Sequence, residues 1–556
     1  MIMKTNILKC CAAALVLAGG VSCTDLLDMT PTNLVSDKTM WEKTENAEWA
    51  INSLYTYVYS VVANQSVVGL TESLTDMMKY GSYNYNSLAF IPSEFAYGED
   101  HTIKAGYVDS YMGYWGTRYS QITNINEAFC NLKKYGKMSN ADKTRLEAEI
   151  RFMRAYVYFD LVKRYKEVII YDENMEAIVK DKALSTEAQA WDFIQADFDF
   201  AAANLPEKSQ AKGRLDKGAA YAFLTRAMLY AQRYDAVITA SNELKSLGYD
   251  LEKNYADSYS KTIASGNIEA ILQYLFSRAE NITHTFDFYY TPGGDFTING
   301  ASGGGYGTPT QELVESYELA TGGFPDWSIW HDVGVTQTPP YALLEPRFQA
   351  TVLYNGSQWK GREIQPWLGG ADGFCEWNVE PEPDGRTTTG YYLRKMVDET
   401  HNVIQYTSGV QPFTVIRYAE VLLNRAEALY KTGKEGEAND IVNKIRDRVG
   451  LPALSVDGEE LMAAIRQERK VEFAFEGLWY WDLRRWGIAH EKYPLGLSDY
   501  MVHGFKITKD EEGNFTYDYI SVDDRNRNYP QRLYRFPLPA AELNNNGSVN
   551  QFPEWK

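Results

Sequence analysis

The chain has 556 residues, with 55 Lys and Arg against 74 Asp and Glu, a formal net charge of −19. Hydrophobic residues make up 45% and aromatic residues 14%, Tyr equals Gly at 41 each, and there are 13 Trp. So apolar a chain does not stay disordered, its charge and lack of any basic run argue against nucleic acid, its five Cys are too few for a disulfide scaffold, and its single long apolar stretch excludes a multi-span membrane protein.

That stretch opens the chain. Lys4 and Lys9 precede the apolar run Cys11 to Gly19, and small residues follow up to Cys23, the layout of an export signal that is too short to span a bilayer. Gly20-Val21-Ser22-Cys23 resembles a bacterial lipobox, with Gly20 where Leu is common. The expectation is a signal peptide over 1–22, a lipidated Cys23 and an acidic, extended tether over 23–43. A multi-acyl anchor holds stably to a membrane where one chain does not. Cys130 and Cys375 are free or paired; the sequence leaves both open.

Helical spacing dominates the next part, 44–280. Ala47, Ile51, Leu54, Tyr55 and Val58 predict one helix over Thr44 to Val62. Ser139 opens a helix that runs to about Tyr165. Its two apolar stripes, one through Leu146, Ile150 and Val157 and one through Phe152, Tyr156 and Phe159, predict a helix sandwiched between neighbours. Thr186 and Gln189 form a capping box ahead of a helix that Pro206 stops. Asp216 to Tyr249 and Tyr418 to Pro452 each read as helix, turn, helix over about 34 residues, a tetratricopeptide-like hairpin that must stack on neighbours to bury its apolar face.

The middle, 281–412, is rich in Gly, Pro, Thr, Asn and aromatics, with Thr310 to Leu319 as its helical stretch. Short β-hairpins are predicted near Phe348–Tyr354 and Tyr391–Val397. A long irregular stretch of this kind is usually functional or disordered, and its aromatic content favours function. In the last part, 413–556, Asp457-Gly-Glu-Glu460 predicts a capped helix. The fold class expected is mostly α: helical hairpins form the scaffold of one compact domain, with a loop-rich region containing short β-hairpins.

Beyond that cap lie Ala464-Ile-Arg-Gln-Glu-Arg-Lys-Val-Glu-Phe-Ala-Phe-Glu476 and Gly477-Leu-Trp-Tyr-Trp-Asp-Leu-Arg-Arg-Trp-Gly487. This resembles the hallmark of the SusD/RagB family of Bacteroidota surface lipoproteins. Trp115 to Asn126, Glu147 to Phe159, Gly213 to Ala220, Arg417 to Glu427 and Phe536-Pro-Leu-Pro-Ala-Ala-Glu-Leu-Asn544 match in the expected order. The resemblance implies an outer-membrane lipoprotein on the extracellular face. Such a protein binds an oligosaccharide and delivers it to a SusC-like TonB-dependent transporter, without a cofactor. The RagB branch implies the alternative of a peptide receptor. A surface glycosidase and a pure tetratricopeptide scaffold are further readings.

Glu468, Glu472 and Glu476 recur every four residues among Arg466, Arg469 and Lys470. An acid/base site would use such groups, but no nucleophile lies beside a base, and a network of Arg–carboxylate pairs is the better reading. The six His are scattered, no HExxH, P-loop or G-x-S-x-G occurs, and Asp523 to Asn528 lacks the glycine and terminal Glu of a calcium loop. No catalytic or metal residue is expected. A sugar binder needs exposed rings for stacking and polar groups for hydrogen bonds. Two aromatic regions supply them, 76–97 and the irregular middle, and the candidates are Asp76, Tyr83, Tyr85, Tyr289, Tyr290, Trp327, Trp330 and Trp359.

Overall fold

The computed structural model describes residues 37–62, 71–81, 104–174, 181–209, 213–376, 385–493, 502–522 and 527–556. The helices over the first half are α1 (Thr44–Leu54), α2 (Trp115–Tyr135), α3 (Asn140–Tyr165), α4 (Glu187–Asn204), α5 (Lys217–Tyr230) and α6 (Tyr234–Ser246). Ser139 caps α3 by accepting the Asp142 N–H at 3.1 Å. The Thr186 capping box forms in both directions at the head of α4. Helix α3 packs against α1, α2 and α4, which is why both of its stripes are apolar and buried.

The single helix expected over 44–62 is two pieces, α1 and Thr56–Val62. At Tyr55 the backbone N–H bonds Asn52, three residues back, and the hydroxyl is held by the Glu149 carboxylate at 2.7 Å and the Leu215 N–H at 3.0 Å. A long-range hydrogen bond outweighs local helix propensity there.

The second half supplies α7 (Tyr418–Lys431), α8 (Glu435–Arg448), α9 (Gly458–Glu472) and α10 (Trp479–Arg485). The hairpins α5–α6 and α7–α8 are the two similar units, and they stack through α6 against α7. Their turns match residue for residue. Gln232 (φ 57°) and Gly433 (φ 78°) take the left-handed position, each one residue before the N-cap of the second helix. The capping box expected at Asp457 does not form: its side chain makes no cap bond, and the Glu435 carboxylate takes the Gly458 N–H at 2.9 Å instead.

The signature helix α9 is tied down by charge. Arg417 bonds Glu269 and Glu472 at 2.6 Å and Glu476 at 2.7 Å. Arg347 and Arg446 both hold Glu468, and Lys395 reaches Glu476 at 2.7 Å. Burial raises the cost of ionising Glu472, yet Arg448, Arg417 and Arg347 override it and hold this carboxyl far below its ordinary range. The Arg–carboxylate reading of this segment is therefore the observed one. Trp479 and Trp481 are buried beside it.

Strands in the middle are short and antiparallel: β1 (Met78–Tyr80) with β3 (Gly307–Pro309), β2 (Ala270–Tyr274) with β8 (Phe413–Arg417), β4 (Val352–Leu353) with β7 (Tyr392–Leu393), β5 (Gln358–Trp359) with β6 (Arg362–Glu363), and β9 (His503–Lys509) with β10 (Phe515–Ser521). The two hairpins expected near 348–354 and 391–397 are a correction: those segments pair with each other, Val352 opposite Leu393. The paired residues Val352, Leu353, Tyr392 and Leu393 are all buried, so the two segments meet through the core rather than through a local turn. The local hairpin is β5–β6, whose turn has Lys360 and Gly361 at positive φ. The helix expected over 310–319 is cut to Gln311–Val314, capped by Thr310. Cys130 and Cys375 are not joined to each other.

Candidate functional site

The described start of the first aromatic region, 76–81, meets the irregular middle at one place. Strand β1 pairs with β3 in the register Met78–Pro309, Lys79–Thr308 and Tyr80–Gly307. Behind this ladder the Gly305 N–H bonds Thr291, and the Tyr306 N–H bonds Tyr289. The segments 78–81, 289–294, 303–307 and 385–388 thus converge. Their backbones approach too closely for side chains: a Cβ on Gly81 would lie 2.0 Å from the Gly305 carbonyl, and one on Gly385 1.9 Å from that of Gly303. Gly305 and Gly385 also sit at positive φ, which glycine tolerates. Residues 82–103 and 377–384 lie outside the described residues.

Rings cover the junction. Tyr306 lies 5.8 Å from Tyr80, 5.1 Å from Tyr289 and 5.5 Å from Tyr290. Phe286 stacks on Tyr290 at 4.3 Å, and Phe288 lies edge-on to Tyr289 and Phe296. Tyr80, Tyr290, Tyr306 and Phe296 are buried, whereas Phe286, Phe288 and Tyr289 are half-buried. Exposed Ile298 and Asn299 follow on the next turn. The array extends through His284 to Phe276, Tyr274 and Tyr59, the last two stacked at 4.6 Å. Half-buried ring faces beside amide groups can stack an apolar ring face and bond its hydroxyls.

The nominated residues divide three ways. Tyr83, Tyr85 and Cys23 lie outside the described residues. Tyr289 stands on the half-buried face and Tyr290 directly beneath it. The remaining four are packed inside, which corrects the expectation that they present themselves to a ligand. Asp76 is buried with its carboxylate between Lys470 (3.1 Å) and Lys492 (3.0 Å) and hydrogen-bonded to Trp479 and Tyr493. Burial opposes its ionisation, but the two ammonium groups hold it far below the usual carboxylate range. Trp359 is 1% exposed, its indole N–H donating to Asp295 under Lys360 and Arg362. Trp327 and Trp330 pack edge to face at 5.6 Å, both buried, and Trp330 donates to the Gln337 carbonyl. A large ring in an irregular segment serves as that segment's own core.

Phe286 and Phe288 were missed, although Phe-Asp-Phe-Tyr-Tyr over 286–290 was visible as four rings in five residues. Among the described residues no three His, Cys, Asp or Glu converge to hold a metal, and no helix is long and apolar enough to cross a membrane.

A family model described as the SusD family matches residues 268–555. The chain belongs to the SusD family. A second model, described as starch-binding and associating with the outer membrane, matches residues 27–229. A SusD-like protein of Bacteroides ovatus is 25% identical, covering 94% of this chain and 90% of its own. The crystal structure of a SusD-like protein from Bacteroides fragilis superposes with a TM-score of 0.77 at 28% identity, covering 94% of this chain and 99% of that one. A SusD-like carbohydrate-binding protein from the same species gives a TM-score of 0.74 at 24% identity, covering 92% and 100%.

Proposed function

We propose that this SusD-family chain is a glycan-binding lipoprotein of the outer membrane, anchored through Cys23 and exposed to the outside, and that it delivers an oligosaccharide to a SusC-like TonB-dependent transporter. The observation that supports the binding step is the β1–β3 junction, which joins the described start of the first aromatic region, 76–81, to the irregular middle, with Phe286, Phe288 and Tyr289 half-buried beside it. Tyr83 and Tyr85 follow closely in the sequence on Gly81, the last described residue of that junction. Rigid scaffolds of this sort commonly hold binding loops. The match of 27–229 to a family described as starch-binding and outer-membrane-associated supports both the ligand class and the location. The carbohydrate-binding relative from Bacteroides fragilis is named for the same ligand class. Captured carbohydrate is handed over intact: the buried carboxylates of the signature are committed to guanidinium groups, so the receptor uses binding rather than hydrolysis.

The test is a calorimetric screen of the purified protein against neutral oligosaccharides, with a peptide library as the second arm. Binding of one glycan class, lost at least tenfold in a Phe288→Ala/Tyr289→Ala variant of unchanged melting temperature and lost further with Tyr83→Ala/Tyr85→Ala, is the expected result. Peptide binding without glycan binding, or release of reducing sugar from a bound glycan, overturns it. Co-purification of a β-barrel transporter with the tagged chain from native membranes tests the delivery step.

A further inference from the structure

A second feature lies on the helical side, at the end of α3 and the start of the signature's last helix. Trp481 carries three cations on its ring: Lys163 Nζ at 4.4 Å, Arg164 Cζ at 4.8 Å and Arg484 Cζ at 4.9 Å from the centroid. Lys163 and Arg164, together with Arg118, share one carboxylate, Asp160. Among the described residues Arg484 has no ion pair. It is 7% exposed, and its two terminal nitrogens are buried without a hydrogen-bond acceptor. Its neighbours are the rings of Phe536 at 4.5 Å, Trp481 and Tyr480. Each cation–π contact is weak, whereas an unpaired buried charge is strongly unfavourable. Three rings thus offset only part of that cost.

This charge borders a cavity of about 350 Å³ walled by Trp191 and Trp481. Lys163, Lys166, Arg484 and Arg485 line it, against the single carboxylate of Glu187. Arg485 is already neutralised by Glu427 and Asp482. Glu187 is engaged by the Trp191 indole N–H at 3.4 Å. Lys166 and Arg484, with Lys163 on a carboxylate it shares with Arg118 and Arg164, therefore border a space large enough for a small molecule that holds the single carboxylate of Glu187. Burial, reinforced by Arg164, pushes the Lys163 ammonium down to about 7 in spite of Asp160.

We propose that this cavity binds an oxyanion group — carboxylate, sulfate or phosphate — of a small ligand, held between Arg484, Lys163 and Lys166 with Trp191 and Trp481 as its walls. An anion supplies the counter-charge that the described residues lack, and a neutral sugar does not. The Arg484 guanidinium lies under the cavity wall, so binding turns one of its N–H edges toward the anion. Charge-assisted contacts to a guanidinium are about twice as strong as neutral ones. The site stands apart from the aromatic face, and it does not rest on the glycan reading.

The experiment titrates the purified chain with sodium sulfate, phosphate and acetate against sodium chloride at matched ionic strength, following tryptophan fluorescence. The expected result is a saturable change with at least one oxyanion and not with chloride. Arg484→Gln and Lys166→Ala each weaken it at least tenfold, and Phe288→Ala/Tyr289→Ala leaves it unchanged. Lys166 is half-buried at the cavity and its variant decides the matter even if Arg484→Gln does not fold. Crystals soaked in selenate are expected to show anomalous density beside Arg484. An equal response to chloride, unchanged affinity in Lys166→Ala, or an empty cavity after the soak overturns the proposal.

Discussion

Glu472→Gln tests whether the family signature is a structural charge network. The carboxylate accepts from Arg417 at 2.6 Å, from Arg347 at 3.3 Å, and from Arg448. Glutamine keeps the shape and removes the charge, so one of its amide N–H groups must face guanidinium groups that are themselves donors only. Breaking a buried pair costs about 3–5 kcal/mol. Here each guanidinium retains another carboxylate: Glu269 and Glu476 for Arg417, Glu345 and Glu468 for Arg347, Glu269 for Arg448. The expected loss is therefore at the lower end, about 3 kcal/mol. Urea unfolding at neutral pH, with the slope of the transition unchanged, measures it. The pH dependence has a fixed sign. The folded carboxyl titrates far below 4.5, so its stabilisation is complete above that value and declines as pH falls below it. The gap between wild type and variant should thus narrow in acid. A loss under about 1 kcal/mol at neutral pH, or a gap that widens in acid, refutes the network reading.

Three further perturbations have defined outcomes. Burial pushes the Glu72 carboxyl up to about 8 from 4.5, with the Gly477 N–H opposing. It is a neutral acid in the fold that ionises on unfolding, so stability falls as pH rises between 4.5 and 8. Glu72→Gln should flatten that slope and be more stable than wild type at pH 8 by about 2–4 kcal/mol in denaturant titrations. Gly385→Ala places a Cβ 1.9 Å from the Gly303 carbonyl at a φ of 90°. Left-handed strain of about 1–2 kcal/mol and overpacking of about 1–3 kcal/mol should lower the melting temperature and weaken glycan binding together. Thr186→Ala removes the cap of α4 and should cost about 1 kcal/mol by the same unfolding assay, with glycan affinity unchanged.

Helices with strong local signals were legible in the sequence to within a residue or two: α3 from Ser139, α4 from its capping box, the two helical hairpins from their matching turns. Where the local signal competed with a distant partner, the partner won. Tyr55 splits a periodic run because its hydroxyl is held by Glu149. Asp457 makes no cap bond, and at the same helix start a carboxylate from another helix, Glu435, takes the Gly458 N–H. The runs at 352 and 392 pair across 40 residues although each is followed by its own turn, at 355–356 and 395–396, because their buried side chains meet in the core.

The candidate site divides along the same line. Composition and pattern placed aromatic binding groups in 76–97 and in the irregular middle, since both regions combine rings with amide and hydroxyl side chains. Which rings face outward was decided only by tertiary packing. Trp327, Trp330 and Trp359 have the right chemistry, but each is the nearest bulky group able to fill the space under its own loop, and burial of a ring that size is worth more than leaving it exposed. Asp76 has the right polarity, but Lys470 and Lys492 arrive from nearly 400 residues away to claim it. The sequence by itself determined the family, the helical scaffold and the Arg–Glu signature, because periodicity, caps and charge spacing are local properties. The glycine junction, the half-buried face of Phe286, Phe288 and Tyr289, and the unbalanced charge around Trp481 depend on which distant segments touch, and only the folded chain decides that.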